Sequence, residues 1–155
     1  MPRVLVIHGP NLNLLGRREP GVYGRSTLAE IDRALAQLGR DLALEVESVQ
    51  HNGEGAIVDA IQGAEGRCAG IVINPAGYTH TSVAIRDALA AVGELGVPAV
   101  EVHLSQPSAR EPFRQVSLVA PVCRGSVAGF GAVGYLLALR GLATLLGGGA
   151  AAART

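Results

Sequence analysis

Lysine is absent from this sequence of 155 residues, and all 13 basic residues are arginine. Without a lysine amine the chain cannot form a Schiff base, which excludes imine catalysis and lysine-bound pyridoxal phosphate. The P-loop motif also needs a lysine, so a standard P-loop nucleotidase is excluded. The formal net charge is +0, so the composition provides no basic surface of the kind that nucleic acid binding requires.

Cysteine and long apolar runs are also scarce. The two cysteines do not make a disulfide framework, and the four histidines show no zinc spacing. We therefore expect no bound metal and no cofactor. The apolar stretch that follows Arg3 covers about five residues, which is too short for a signal peptide or a membrane span. We expect a cytoplasmic protein that binds neither membranes nor nucleic acid.

Strand-length apolar runs alternate with helical patterns along the chain. Strands are predicted at residues 4–7, 42–49, 71–73 and 98–103, with a shorter one around 116–126. Helices are predicted from the capping residue Thr27 to Gly39, around Ile57 and Ile61 until about Gly66, from Ser82 to Gly93 or Gly96, and from Tyr135 to Leu146. This alternation predicts an α/β fold, specifically a flavodoxin-like three-layer sandwich with a five-stranded parallel sheet in the order 2-1-3-4-5.

The same pattern predicts one domain over residues 1–146, because no linker or internal repeat divides the chain. Residues 147–155 are rich in glycine and alanine, and their small side chains give little to anchor them. We expect this segment to be a flexible tail.

Polar residues gather where the predicted strands end. The first strand runs into His8, Asn11 and Asn13, and the second into residues 50–52. The third runs into the segment from Asn74 to His80, and the fourth ends at residues 101–105. Ligands of open parallel sheets bind beyond the carboxyl ends of the strands. Turn formation and helix capping explain a single such loop, but they do not explain the whole set well.

The loop after the first strand is long for a connection between a strand and a helix, which usually takes about 2–6 residues. Residues 14–25 contain three glycines, and Arg17, Arg18 and Arg25 flank Tyr23. A loop with these features favours a mobile lid over the ligand edge, although a solvated loop with a surface tyrosine remains the alternative.

The available side chains favour acid–base chemistry. Neither the G-x-S-x-G nucleophile motif nor the G-x-G-x-x-G dinucleotide motif is present. A guanidinium beside Tyr23 would favour its phenolate form, which can accept a proton. Asparagine side chains can orient water or stabilise an enolate oxygen.

Four segments carry a resemblance to a known family. His8–Gly24 reads HGPNLNLLGRREPGVYG and resembles the opening signature of type II 3-dehydroquinate dehydratases. Residues 74–87, residues 101–105 with 110–114, and residues 129–139 resemble three further motifs of that family. The similarity covers about residues 3–146. It implies a flavodoxin-like lyase that dehydrates 3-dehydroquinate to 3-dehydroshikimate by anti elimination through an enolate, in the shikimate pathway of aromatic amino acid biosynthesis.

The resemblance also implies roles for individual residues. Tyr23 is the expected base, Arg18 supports its charge, Asn11 holds a water against the enolate oxygen, and His103 protonates the leaving hydroxyl. The expected substrate-binding residues are Asn74, His80, Asp87, Leu104, Ser105 and Arg114. Glu101 is expected to orient its neighbours. Gln115 and Val116 stand where the family usually has two histidines.

The resemblance further implies a homododecamer, a tetramer of trimers, in which Asp87 reaches the site of a neighbouring subunit. The last predicted helix carries apolar residues around most of its circumference, namely Leu136, Leu137, Leu139, Leu142, Leu145 and Leu146. Part of that surface is expected to be covered by a subunit contact, with a fully buried core helix as the alternative.

Two other interpretations compete with this one: a non-catalytic flavodoxin-like module, of either the FMN-binding or the receiver type, and a subunit with an inactive site. A flavodoxin-like module that binds FMN would need a phosphate loop rich in serine or threonine and aromatic residues to stack the flavin, but the chain has 3% aromatics and no tryptophan. A receiver module would need an acidic cluster and a partner lysine. A subunit with an inactive site is the third reading, which an assay for the conjugated enone product would test.

Overall fold

The computed structural model describes residues 1–147. These residues fold into a five-stranded parallel sheet with helices on both faces. The strands are β1 (Arg3–His8), β2 (Glu45–Gln50), β3 (Gly70–Asn74), β4 (Ala99–His103) and β5 (Gly125–Ala128). The helices are α1 (Pro20–Tyr23), α2 (Leu28–Asp41), α3 (Glu54–Gly63), α4 (Val83–Glu94) and α5 (Val133–Gly147). The strand order is β2-β1-β3-β4-β5, which confirms the predicted flavodoxin-like topology.

Each face of the sheet has its own apolar core. Val4 and Val6 of β1 pack with α2 and α5, whereas Leu5 and Ile7 pack with α3 and α4. Successive side chains of a strand point to opposite faces, so a strand covered on both sides is apolar throughout. This explains the continuous apolar runs in β1 and β3.

Thr27 caps the start of helix α2, because its Oγ1 accepts a hydrogen bond from the Glu30 N–H at 3.2 Å. The prediction that it ends at Gly39 was wrong, because the helix continues to Asp41. Gly39 instead permits close packing on β2. A Cβ at this position would lie 2.5 Å from a Val46 methyl group, so no larger residue fits without a shift.

The second and fifth strands also begin later than predicted. Residues 42–44 form a turn in which Ala43 adopts a positive φ of 56°, and β2 starts only at Glu45. Most of the segment around 116–126 is irregular, and β5 starts at Gly125. Its apolar residues have another role, because Val119 is fully buried in the core beside α4.

Helix α5 is slightly longer than predicted and includes Gly147; residues 148–155 of the predicted tail lie outside the described residues. Its sheet-facing residues Tyr135, Leu139 and Leu142 are fully buried, whereas Leu137 is exposed. Within residues 1–147, no helix combines the length and apolar character needed to cross a bilayer.

Candidate active site

A pocket of about 150 Å³ lies at the carboxyl ends of β1, β3 and β4. It is lined by nine of the eleven residues predicted for the site: Asn11, Arg18, Tyr23, Asn74, His80, His103, Leu104, Ser105 and Arg114. The parallel strands therefore bring together residues that are up to about a hundred positions apart in sequence, as the rule for ligand sites in open sheets predicts.

Tyr23 ends the short helix α1, in the loop after β1, and is half-buried. Arg110 Nη2 donates a hydrogen bond to Tyr23 Oη at 2.8 Å, while Arg110 Nη1 donates to Ser105 Oγ at 3.3 Å. The Arg18 guanidinium carbon lies 4.8 Å from the Tyr23 ring centroid, at the distance of a cation–π contact. Two positively charged side chains thus adjoin the phenol of Tyr23.

Arg110 was not among the predicted site residues, although it lies within a motif that carries the family resemblance. The sequence places it in a loop six residues beyond Leu104, with no periodicity to indicate which way its side chain points. Its position near Tyr23 arises only from folding, because 87 residues separate the two. The contact predicted for Arg18 is present, but it involves the ring, whereas Arg110 bonds the hydroxyl.

His103 is anchored by Glu101, two residues earlier on β4. His103 Nε2 lies 2.6 Å from Glu101 Oε2 and donates to it, since a carboxylate oxygen can only accept. Ser117 Oγ also donates to Oε2 at 2.9 Å, and Ser126 Oγ donates to Oε1 at 3.2 Å. His103 Nδ1 is left to act on the pocket that the residue lines.

Glu101 is ionised despite being only 2% exposed. Burial by itself raises the pKa of this carboxyl, but the hydrogen bond and charge of His103 and the bonds from Ser117 and Ser126 outweigh that effect. The pKa consequently lies below its ordinary value of 4.5. The imidazole of His103 therefore lies beside a buried negative charge. Glu101 does not itself line the pocket.

Asn11 adopts a left-handed backbone conformation with φ of 70°, which asparagine tolerates better than most residues. The conformation is supported by Asn52, whose Oδ1 accepts the Asn11 N–H at 3.1 Å. Gln50 Nε2 donates to the same oxygen at 3.1 Å and to Gly9 O at 3.1 Å. Gln50 at the end of β2 and Asn52 just beyond it therefore hold the loop after β1 and do not line the pocket.

His80 and Arg114 each use one nitrogen for the protein and leave others free for a ligand. His80 Nδ1 donates to the carbonyl oxygen of Val116 at 2.7 Å, which leaves Nε2 as an acceptor. Arg114 Nε donates to Glu111 Oε2 at 3.0 Å, which leaves its terminal amino groups. Because Val116 contributes only its carbonyl oxygen, the departure from the usual histidine at this position does not disturb the contact.

Asp87 is the one predicted substrate-binding residue that does not line this pocket. It belongs to the first turns of α4, its side chain is 61% exposed, and Arg86 Nη1 donates to its Oδ1 at 2.7 Å. A single chain therefore does not bring Asp87 to its own pocket.

No group of three or more histidine, cysteine or acidic residues that could hold a metal ion occurs within residues 1–147. The pocket instead joins a tyrosine held by two arginines to a histidine held by a buried carboxylate. Fold and pocket together define a flavodoxin-like α/β protein equipped for acid–base chemistry on a small molecule.

Comparison with known proteins identifies the family. The family model described as "Dehydroquinase class II" matches residues 2–143. The 3-dehydroquinate dehydratase of Desulforudis audaxviator is 53% identical over 147 residues, with 95% of this chain and 96% of that protein covered. The 3-dehydroquinate dehydratase of Synechocystis sp. is 57% identical over 146 residues, with 94% of each covered. The chain belongs to the class II dehydroquinase family of enzymes.

Solved structures agree with this assignment. The type II dehydroquinase of Butyrivibrio crossotus superposes with a TM-score of 0.88 at 45% identity, covering 91% of this chain and 97% of that one. The enzyme of Propionibacterium acnes superposes with a TM-score of 0.87 at 43% identity, covering 93% and 97%. The resemblance predicted from the four motifs is therefore confirmed over almost the whole described structure.

Proposed function

We propose that this chain dehydrates 3-dehydroquinate to 3-dehydroshikimate by anti elimination through an enolate, as a step of the shikimate pathway that leads to chorismate and the aromatic amino acids. Family membership supports the reaction. The observation that carries the mechanism is the convergence of Tyr23, bonded by Arg110, and His103, bonded by Glu101, on one pocket.

In the first step, the Tyr23 phenolate removes a proton from the carbon beside the substrate ketone. The Arg110 hydrogen bond and the Arg18 contact place two positive charges beside this base. The electron pair of the broken C–H bond moves to the ketone oxygen and forms the enolate. Asn11 holds a water against that oxygen, and the fixed dipole stabilises the developing charge.

In the second step, the enolate collapses and the hydroxyl on the neighbouring carbon leaves. His103 donates its Nδ1 proton to this oxygen, so the product is water and not hydroxide. Glu101 stabilises the imidazolium until the transfer takes place. Tyr23 has then gained one proton and His103 has lost one, and transfer of a proton between them through solvent restores the site.

The remaining residues bind the substrate. His80 offers Nε2, Arg114 its terminal amino groups, Asn74 an amide N–H, and Leu104 and Ser105 their backbone. Asp87 completes the site from a neighbouring subunit of the proposed homododecamer, a tetramer of trimers. The proposed catalytic domain spans residues 1–146, and the proposed location is the cytoplasm.

The test is a direct assay with 3-dehydroquinate that follows the ultraviolet absorbance of the conjugated enone product. Wild-type protein is expected to turn over the substrate, and a colourless preparation is expected because no flavin takes part. Absence of enone formation by folded wild-type protein would refute the proposal and leave the reading of an inactive subunit.

A further inference from the structure

A buried chain of hydrogen bonds joins helix α2 to the pocket residue Asn74. His8 Nε2 lies 2.8 Å from Asp32 Oδ1, and His8 Nδ1 lies 2.9 Å from Tyr135 Oη. Tyr135 Oη in turn lies 3.1 Å from Asn74 Nδ2. His8 and Tyr135 are fully buried and Asn74 is 3% exposed. The proposed reaction uses only the last member of this chain.

The direction of every bond in the chain can be deduced. Asn74 Oδ1 accepts the backbone N–H of Ala76 at 3.1 Å, so Asn74 Nδ2 is the amide atom that donates to Tyr135. Tyr135 Oη accepts from Asn74, so its own proton is available for His8 Nδ1, the other atom within hydrogen-bond distance. His8 Nε2 donates to the Asp32 carboxylate, because a carboxylate oxygen can only accept.

The four members come from four different elements, so the chain depends on tertiary structure. His8 and Asn74 end neighbouring strands and are register partners, whereas Asp32 belongs to α2 and Tyr135 to α5. Burial raises the pKa of Tyr135, which keeps its hydroxyl protonated and able to donate. Asp32 lies at the outer end of the chain of hydrogen bonds, where its side chain is 37% exposed.

We propose that Asp32, His8 and Tyr135 are positioning residues that fix the Asn74 amide, with one N–H bonded to Tyr135 and the other presented to the substrate. The Ala76 N–H and the Tyr135 hydroxyl hold the two ends of the amide. Rotation of the amide would place its NH₂ group against the Ala76 N–H and break both bonds. The substrate thus meets a donor whose orientation is set by residues on the face of the sheet that α2 and α5 cover. This inference rests on the proposed function for the identity of the substrate.

The kinetic test uses Tyr135→Phe, which removes only the hydroxyl, together with Asn74→Ala and the double variant. Tyr135→Phe is expected to raise KM about tenfold with kcat nearly unchanged, because a hydrogen bond to bound substrate is weakened in ground and transition states alike. If Tyr135 acts through Asn74, the double variant will be no worse than Asn74→Ala alone. Multiplication of the two single effects would overturn the proposal.

Controls separate positioning from stability. Leu139→Val weakens the same helix without touching the chain and is expected to lower the melting temperature with KM unchanged. Asp32→Leu removes the acceptor of His8 Nε2 and is expected to raise KM less than Tyr135→Phe does. Asp32→Asn keeps an acceptor and should restore the wild-type KM. If Tyr135→Phe fails to fold, the Asp32 pair decides the question, and equal KM values for both Asp32 variants would count against the proposal.

A second measurement needs no substrate. Nitrogen-15 NMR of the wild-type protein is expected to show His8 with a proton on Nε2 and none on Nδ1, and an Asn74 side-chain amide protected from exchange. Tyr135→Phe should abolish that protection. The opposite His8 tautomer, or an Asn74 amide unaffected by Tyr135→Phe, would refute the chain. These results stand whether or not the protein turns over 3-dehydroquinate, so the two proposals fail independently.

Discussion

Tyr23 and His103 line the same pocket, but the protein holds them in different ways. Tyr23 lies in a loop and is half-buried, and the partner of its hydroxyl, Arg110, lies in another loop. His103 ends the strand β4, its side chain is 11% exposed, and its partner Glu101 belongs to the same strand. One reactive group depends on contact between two loops, whereas the other is built into the sheet.

The contacts of Tyr23 and His103 therefore depend on different parts of the fold. The bonds of the Glu101 carboxylate to His103, Ser117 and Ser126 involve no residue of the loop after β1. The hydroxyl of Tyr23 is bonded by Arg110, which lies in a different loop. The geometry around the proposed base therefore depends on how two loops meet, whereas the geometry around the proposed acid does not.

The largest expected effect follows removal of the base. Tyr23→Phe keeps the ring and its contact with Arg18 but loses the ionisable oxygen, so kcat should fall by about 10²–10⁴-fold while substrate binding persists. Tyr78→Phe is the matched control, because the hydroxyl of Tyr78 bonds the Asn52 carbonyl and Tyr78 does not line the pocket. A Tyr23→Phe enzyme with half the wild-type kcat would exclude Tyr23 as the base.

The next effect separates the two arginines beside Tyr23. Arg110→Leu removes a charged hydrogen bond worth about 1.5–3 kcal/mol, so proton abstraction should slow by roughly 10–100-fold. Arg18→Leu removes a contact with the ring worth about 0.5–2 kcal/mol and should cost less. Exchange of the substrate's α-proton with deuterated solvent measures this step directly. A larger loss in Arg18→Leu than in Arg110→Leu would reverse the assignment made from the geometry.

The sequence predicted the site residues at the ends of strands better than the contacts between loops. A residue at the carboxyl end of a parallel strand has a known place, so the strand pattern alone puts Asn74 and His103 at one edge of the sheet. Arg110 could not be placed in this way, because its contact with Tyr23 depends on how two loops meet. The network of Gln50 and Asn52 was predicted at the correct edge, but its role in holding Asn11 depends on side-chain directions that spacing does not define.

Errors in the predicted fold have a similar origin. The strand order followed from the alternation of patterns, whereas the ends of α2 and β5 depended on tertiary contacts. Gly39 is a typical helix end in sequence, but here it is selected by the close approach of Val46. Val119 has strand character in sequence, but it is buried beside α4 as part of an irregular segment.

A moderate effect on activity is expected when the charge of Glu101, on strand β4, is removed. Glu101→Gln keeps an acceptor for His103 but removes the negative charge beside it, so kcat should fall about tenfold. Exchange of the α-proton should survive, in contrast to Arg110→Leu. Loss of exchange in Glu101→Gln would show that the two sides of the pocket are not independent.

The smallest effects are expected for the two serines that bond Glu101. They test how much these hydrogen bonds contribute to the free energy of unfolding. The folded-state pKa of Glu101 is lowered, so its charge contributes stability above the ordinary value of 4.5, and that contribution is lost as pH falls through the folded value. Ser117→Ala removes a bond to the carboxylate and one from the Ala120 N–H, and should cost about 1.5–3 kcal/mol at pH 7. Ser126 is exposed, so water replaces its hydroxyl and Ser126→Ala should cost about 0.5 kcal/mol or less. Urea unfolding at pH 7 and at a series of lower pH values measures both, and the cost of Ser117→Ala should shrink as pH falls through the folded-state pKa of Glu101. A cost that does not change with pH would mean that Ser117 acts through Ala120 alone, and that the charge beside His103 is held by the histidine without help from the surrounding segment.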